Sequence, residues 1–310
     1  MAAQGGTELL KKWLFQNIDT RLLENVNIVS RPEDMSDKDN NVLWVHDLPA
    51  DMPFLASAKE RQRFRGIVFV SSWQQTVFFM NMGVPYSDST VIRNAIYPIT
   101  PGEKRRDGQI RLIYHPTPHR GLELLVPVFN KLCEKYDNLH LDVFSSFDLY
   151  DRPEANEPYN ALYDACRAHP KISYHGTQPN DVVRAALAEA DIFAYPCIWR
   201  ETSCISAMEA MSARCLVIAP EYAALPETLS GFNFGYNWTE RLEDHARRFA
   251  TVLERAIEAT NARETDELLD AQKLHVDRFY SWSARAAQWE TYLGSVLEVR
   301  QVRRSGLQWN

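Results

Sequence analysis

Short β-branched and aromatic runs alternate along the chain with helical patterns of apolar and polar residues. The runs at 26–30, 42–46, 67–71, 90–93, 110–114, 139–144, 172–174, 192–195 and 215–218 predict strands. Between them, 7–17, 56–64, 73–82, 121–136, 158–169, 181–189, 205–212 and 223–229 predict helices. Strands separated by helices imply βαβ units and parallel sheets covered on both faces. After Trp238 the pattern is helical only, at 239–259, 265–277 and 281–297, and the tail 300–310 reads as frayed.

One segment breaks the alternation. Residues 98–107, PITPGEKRRD, combine two Pro, a Gly and mixed charge, as an interdomain linker does. A boundary there gives a first domain at 1–98, a second at 99–278, and a terminal helix at 279–310. The total of 310 residues fits two domains of this size.

Composition narrows the class. The 34 Lys and Arg against 41 Asp and Glu leave a net charge of −7, which argues against a dedicated nucleic-acid binder. The longest apolar runs are too short for a transmembrane helix, and the start, MAAQGGTELLKKWLFQN, has no secretory apolar region. The five Cys show no CxxC spacing and sit mostly in apolar stretches, as reduced core thiols of a cytoplasmic protein do. Only 12 of 310 residues are Gly, yet two of them, Gly5 and Gly6, stand together almost at the first residue.

The chemistry concentrates in residues 190–229, ADIFAYPCIWRETSCISAMEAMSARCLVIAPEYAALPETL. A strand ends in Pro196, a polar loop carries Arg200 and Glu201, and a helix beginning near Ser203–Ile205 carries Glu209. Open α/β sheets bind ligands beyond the carboxyl ends of their strands, where helix N-termini offer N–H groups to anions. Glu201 and Glu209 stand in the spacing Glu-x7-Glu. A Glu pair alone arises often on solvated helix faces; the flanking strand, Pro196 and LPETL give this one its weight.

This stretch resembles the retaining GT-B glycosyltransferases of glycosyltransferase family 4 (group 1), whose signature is Glu-x7-Glu spanning a helix start, followed by a small-residue turn and a buried strand. The likeness extends over most of the chain. VIRNA at 91–95, with Asn94, is similar to the end of the family's first domain. RLIYHPTPHRGLELL at 111–125 is similar to the strand, phosphate loop and helix that open the second, YHGTQPNDVV at 174–183 to a later segment of that domain, and DRFYSWSARAAQWETYL at 277–293 to the terminal helix. The resemblance implies an α/β GT-B-like fold: two Rossmann-like parallel-sheet domains facing a cleft, with a C-terminal helix crossing back to the first.

The resemblance also implies roles. Glu209 accepts hydrogen bonds from the ribose hydroxyls of a nucleotide-diphosphate sugar. Glu201 contacts the transferred sugar. Thr202, Ser203, Cys204 and Ile205 present backbone N–H groups to the donor diphosphate, and Arg120, before Gly121 of the phosphate loop, pairs with it. Gly5 and Gly6 resemble the Gly-Gly loop near the donor phosphates and acceptor, and His46, in WVHD, a cleft histidine near the reacting centre. The implied reaction needs no metal and no cofactor beyond the nucleotide sugar. The acceptor is a glycan, lipid or protein, and peripheral membrane contact is compatible with the sequence. Two departures stand out. Tyr114–His115 occupies the place of a second cation, for which Arg200 or Arg93 is a candidate replacement. Cys204 stands where the family has Gly, so a backbone contact there requires a negative φ.

Other readings fare worse. His115 and His119 have metal-ligand spacing for a helix, but Pro116 and Pro118 forbid that helix. DLYD at 148–151 reads as a polar loop, and no P-loop, GxGxxG or GxSxG motif is present. An epimerase shares the fold, a phosphorylase would need a cofactor-bearing Lys, and a degenerate GT-B protein would bind nucleotide or glycan without turnover. The four residues before Gly5 are too few for a buried strand of about five to six. This predicts an abbreviated first domain, or a start upstream of Met1.

Overall fold

The structure is a computed structural model that describes residues 5–36, 40–102 and 107–304, with side chains through Glu298. Residues 103–106 of the expected linker and 305–310 of the expected frayed tail lie outside the described residues. The chain divides into two compact units: Thr7–Ala95 with Tyr280–Asn310, and Ile96–Phe279 with Met1–Gly6. Each is built on a parallel sheet.

The smaller unit contains α1 (Gly6–Asn17, whose first residue is assigned to the larger unit), β1 (Asn27–Val29), β2 (Asn41–Val45), α2 (Ala58–Arg61), β3 (Gly66–Phe69), α3 (Ser72–Met82) and β4 (Ser89–Val91). Its four strands lie in chain order, all parallel. Every residue of β2 is buried, as a central parallel strand requires. The core gathers Val29, Leu43, Val45, Ile67, Phe69 and Phe78. Helix α3 starts where the Ser71 hydroxyl accepts from the Gln74 N–H and stops at Gly83, whose φ of 64° is left-handed.

The larger unit contains β5 (Ile110–Tyr114), α4 (Leu122–Cys133), β6 (Leu139–Val143), α5 (Asn160–Ala168), β7 (Ile172–Tyr174), α6 (Asn180–Glu189), β8 (Ile192–Ala194), α7 (Ile205–Ser212), β9 (Leu216–Glu221), α8 (Leu225–Leu229), β10 (Phe234–Asn237), α9 (Leu242–Ala259) and α10 (Arg263–Phe279). Its strand order is β10-β9-β8-β5-β6-β7, all parallel. Order reverses between β5 and β8, so the loops after these two strands flank the topological switch point where such sheets bind ligands. The last helix, α11 (Trp282–Arg304), belongs to the smaller unit, where Trp289 meets Trp44 edge-on at 5.1 Å.

The sheets accord with the expected α/β class, while several element bounds differ. The helix expected at 56–64 is one turn of α-helix, α2, preceded by a 3-10 turn at Pro53–Ala56, and the Ser57 cap divides the segment between them. The helix expected from 158 begins at Asn160, after a 3-10 stretch at Pro153–Tyr159 that includes Pro158. Strand β10 is not among the expected strands: it is short, contains Gly235 and lies at the sheet edge, so its hydrophobic signal is weak. The first described residues of the expected linker are tied into the larger unit, with the Ile99 N–H donating to Ser212 Oγ and the Gly102 N–H to the Ala188 carbonyl. All five cysteines are free. Among the described residues, no helix is long and apolar enough to cross a membrane.

Candidate active site

Strand β5 ends at Tyr114, and the chain then runs through Pro116 and a 3-10 turn, Pro118–Arg120, before α4 begins. Gly121 joins turn to helix with φ of 130°, and a Cβ there would lie 2.2 Å from the Pro196 carbonyl oxygen. Only glycine fits that close approach. The consequence is contact between the loops after β5 and β8: the Ile198 N–H donates to the Arg120 carbonyl at 3.2 Å.

This contact brings Arg120 to Glu201. The guanidinium pairs with Glu201 Oε1 through Nη1 and donates from Nε to Thr117 Oγ1 at 3.2 Å. The Tyr195 hydroxyl donates to the same carboxylate oxygen at 2.5 Å. Burial works against the charge on Arg120, but the Glu201 carboxylate beside it raises its pKa above the usual value. Burial pushes the Tyr195 phenol up as well, so it remains a donor. Glu201 is only 5% exposed, and its carbonyl accepts from the Ala224 N–H just before α8, the helix of the LPETL segment.

Helix α7 follows four residues later. Cys204 is its N-cap residue, with φ of −117°. The negative φ meets the condition for a Cys in the place of Gly. Within the larger unit, Gly6 lies close to the helix start: a Cβ on it would be 3.3 Å from Ile205 Cδ1. Glu209 is the fifth residue of α7, in a run from Ala207 to Ser212 that is buried throughout. It pairs with Arg184 of α6, an arginine that reading the sequence missed. Burial raises the Glu209 pKa, and Arg184 opposes that rise. Arg184 left a signal in the sequence: it stands three residues before the fully buried Leu187, on the inward side of α6.

The other expected positions divide. Thr202 and Ser203 are half-buried in the loop leading to α7. Arg200 is exposed, and its charge acts on Tyr222. Arg93 donates to Ser72 Oγ in the smaller unit. Tyr114 and His115 supply no cation. The Tyr114 hydroxyl donates to the Thr117 carbonyl, while burial lowers His115 to about 4, so its ring is neutral at pH 7. His119 stacks on Phe147 and meets Trp199 edge-on, which is ring packing in place of ligation. Among the described residues, no group of three or more His, Cys, Asp or Glu side chains is placed to hold a metal ion. In the smaller unit, His46 follows β2 against Trp44, and burial lowers it to about 3. Asn94 there is buried, with Oδ1 accepting no hydrogen bond among the described residues.

The model of the family described as glycosyl transferases group 1 matches residues 106–266, more than half of the chain. The chain belongs to this family. The match contains Arg120, Arg184, Glu201 and Glu209. Solved structures agree on the fold of this group 1 glycosyltransferase. A glycosyltransferase from Rickettsia africae ESF-5 is similar at 13% identity and a TM-score of 0.70, over 96% of this chain and 83% of that one. An α,α-trehalose 6-phosphate synthase from Burkholderia multivorans gives 12% identity and 0.66, over 87% and 68%. The pneumococcal O-GlcNAc transferase GtfA, solved with UDP and GlcNAc, gives 11% and 0.63, over 93% and 60%. These likenesses establish the GT-B fold. No match is found among curated protein sequences.

Proposed function

We propose that this group 1 glycosyltransferase moves a sugar from a nucleotide-diphosphate sugar to an acceptor with retention of configuration and without a metal. The observation that carries this reading is a pair of Glu–Arg contacts along α7 and its approach, Arg120 on Glu201 just before the helix start and Arg184 on Glu209 within the helix, next to the switch point of the larger sheet. Anions are favoured at such a helix start, because its first N–H groups point outward and its dipole is positive there.

The donor occupies the larger unit. Glu209 takes the ribose hydroxyls, since an ionised carboxylate accepts without donating. Arg120 and the amides from Thr202 to Ile205 take the diphosphate. The five N–H donors of Arg120 are only partly used by Glu201 and Thr117, so it can serve phosphate oxygens while holding the carboxylate. As the glycosidic bond breaks, negative charge grows on the leaving diphosphate, and fixed donors stabilise it without reorganising. Glu201, aimed by Arg120 and Tyr195, contacts hydroxyls of the transferred sugar. The neutral Tyr114–His115 pair leaves Arg120 as the principal cation of this phosphate loop.

GtfA was solved with UDP, which makes uridine one base to try; the base, sugar and acceptor are open to assay. The five free cysteines suit a reducing compartment, and we place the activity in the cytoplasm. The test is a thermal-shift screen against UDP-, GDP- and ADP-sugars, followed by assay for released sugar. One nucleotide sugar should raise Tm and be slowly hydrolysed, with the α-anomer product of transfer from an α-donor marking retention. Stabilisation without hydrolysis or transfer would reduce the protein to a binder. No stabilisation by any nucleotide sugar would overturn the reading.

A further inference from the structure

Glu209 lies in the most enclosed part of α7, flanked in sequence by the buried apolar residues Ala207, Met208, Ala210 and Met211. A carboxylate there loses its hydration and needs a counter-charge to stay ionised. Arg184 supplies it from α6, one amino group pairing with Glu209 Oε1. The other amino group is held from behind, donating to the carbonyls of Tyr97 at 2.8 Å and Pro98 at 3.2 Å. The guanidinium fork is therefore anchored at both tips.

We propose that Arg184 is a positioning residue for the donor: it supplies the charge and the aim that make Glu209 an acceptor for the ribose hydroxyls. This rests on the reading of Glu209 as the ribose ligand. Arg184 itself touches the carboxylate and the backbone. An ionised carboxylate has about four lone-pair positions, and the arginine takes one, leaving acceptors for a ribose diol. The backbone anchor matters because a free arginine would share its time among rotamers, and Glu209 would follow it.

The charged surroundings of Glu209 are few. Arg184 is the charged group that acts on its titration. From α10, Lys273 and Asp277 face the last turn of α7, where they bond each other and Ser212. From the loop after β5, His115 meets the Ser206 backbone and is neutral at pH 7. Burial raises the Glu209 pKa while Arg184 lowers it, so losing the arginine leaves burial unopposed and Glu209 protonated to higher pH.

The experiment is calorimetric titration of the full chain with UDP, GDP and ADP and their 2′-deoxy and 3′-deoxy counterparts, from pH 5 to 8. The proteins are wild type, R184Q, R184K, E209Q and the R184Q/E209Q double variant. Wild type should prefer the ribose form over a deoxy form by about tenfold, the scale of one hydrogen bond to a charged group. R184Q should lose most of that preference at the acid end of the range and regain part of it toward the basic end, as Glu209 ionises. R184K, keeping the charge without the fork, should bind more weakly than wild type with a nearly wild-type pH profile. In the E209Q background, R184Q should change nothing further. If R184Q melts near the assay temperature, R184K and the calorimetric pH profile carry the same comparison.

Two results would overturn the inference while leaving the ribose reading intact: R184Q keeping the wild-type preference and pH profile, or R184Q weakening binding equally in the wild-type and E209Q backgrounds. Wild type binding no nucleoside diphosphate, or binding without regard to the ribose hydroxyls, would instead remove the reading of Glu209 and this inference with it.

Discussion

Arg120 and Glu201 stand 81 positions apart and meet in a part-buried ion pair, with the Tyr195 hydroxyl on the same carboxylate oxygen at 2.5 Å. Their meeting depends on two loops of one sheet, those after β5 and β8, touching through Gly121 and Pro196. The pair therefore couples the stability of the larger unit to the chemistry proposed for it.

Removing Arg120 leaves Glu201 buried without its counter-charge. R120M should cost up to about 3 kcal/mol of stability, below the roughly 3–5 kcal/mol of breaking a fully buried pair, because the arginine side chain is partly exposed. It should also cut kcat by about a hundredfold or more, the usual loss of one donor to a developing negative charge. Chemical denaturation and initial rates with the best donor measure the two effects. Unchanged stability would mean that the pair is not held in solution.

Tyr195→Phe tests the second bond to Glu201. It removes a hydroxyl and no bulk, so stability should fall by about 1–3 kcal/mol. With Glu201 freer to turn, kcat should fall more than KM changes. A KM effect alone would place Glu201 in ground-state binding.

Gly121→Ala puts a methyl group where the Pro196 carbonyl already stands, at a φ of 130° that an L residue rarely adopts. The substitution should cost more than about 1 kcal/mol and push the two loops apart. Donor affinity should fall with stability in a combined melt and titration. A variant as stable and active as wild type would refute the close approach.

Buried histidines give the protein an acid-labile component. Burial lowers His46 to about 3 and His115 and His119 to about 4, from an ordinary 6.5. Between these values the unfolded chain binds protons that the folded chain refuses, so stability present above pH 6.5 is lost as pH falls toward 4. Glu209 has the opposite sign: its raised pKa favours the folded state at low pH, an advantage lost as pH rises through that pKa. His169, His245 and His275 are lowered as well, and Asp47 joins Glu209 in being raised, so six histidines against two carboxylates should make the acid loss prevail, read as a falling denaturation midpoint from pH 7 to 4.5. H115F, which keeps a flat ring and removes the titrating group, should flatten that slope.

Local pattern reached far into this molecule. Apolar runs and helical segments between them marked nine of the ten strands and the alternation of a parallel α/β fold. The helix expected at 73–82 is α3, whose Ser71 cap and Gly83 stop the structure supplied. The Glu-x7-Glu spacing, the Pro ending β8 and the loop before α4 were legible within a short window of sequence. Helix lengths were less so: the 3-10 turn Pro53–Ala56 and the Ser57 cap leave α2 only Ala58–Arg61 of the 56–64 pattern, and the 3-10 stretch Pro153–Tyr159 takes the start of 158–169.

What the sequence determined by itself is whatever depends on neighbours a few residues away: most of the elements and the spacing of Glu201 and Glu209. What only the tertiary structure decided is which charges meet. Arg120 comes to Glu201 because β5 and β8 are hydrogen-bonded side by side, although three elements of helix and two strands separate them along the chain. Arg184 comes to Glu209 because α6 packs beside α7, and it is held there by the carbonyls of Tyr97 and Pro98. The physical reason is one of range. Helix and strand propensity act through bonds and the next turn, whereas an ion pair shielded from water requires two side chains to share one enclosed volume, and that volume exists only once the helices have packed on the sheet.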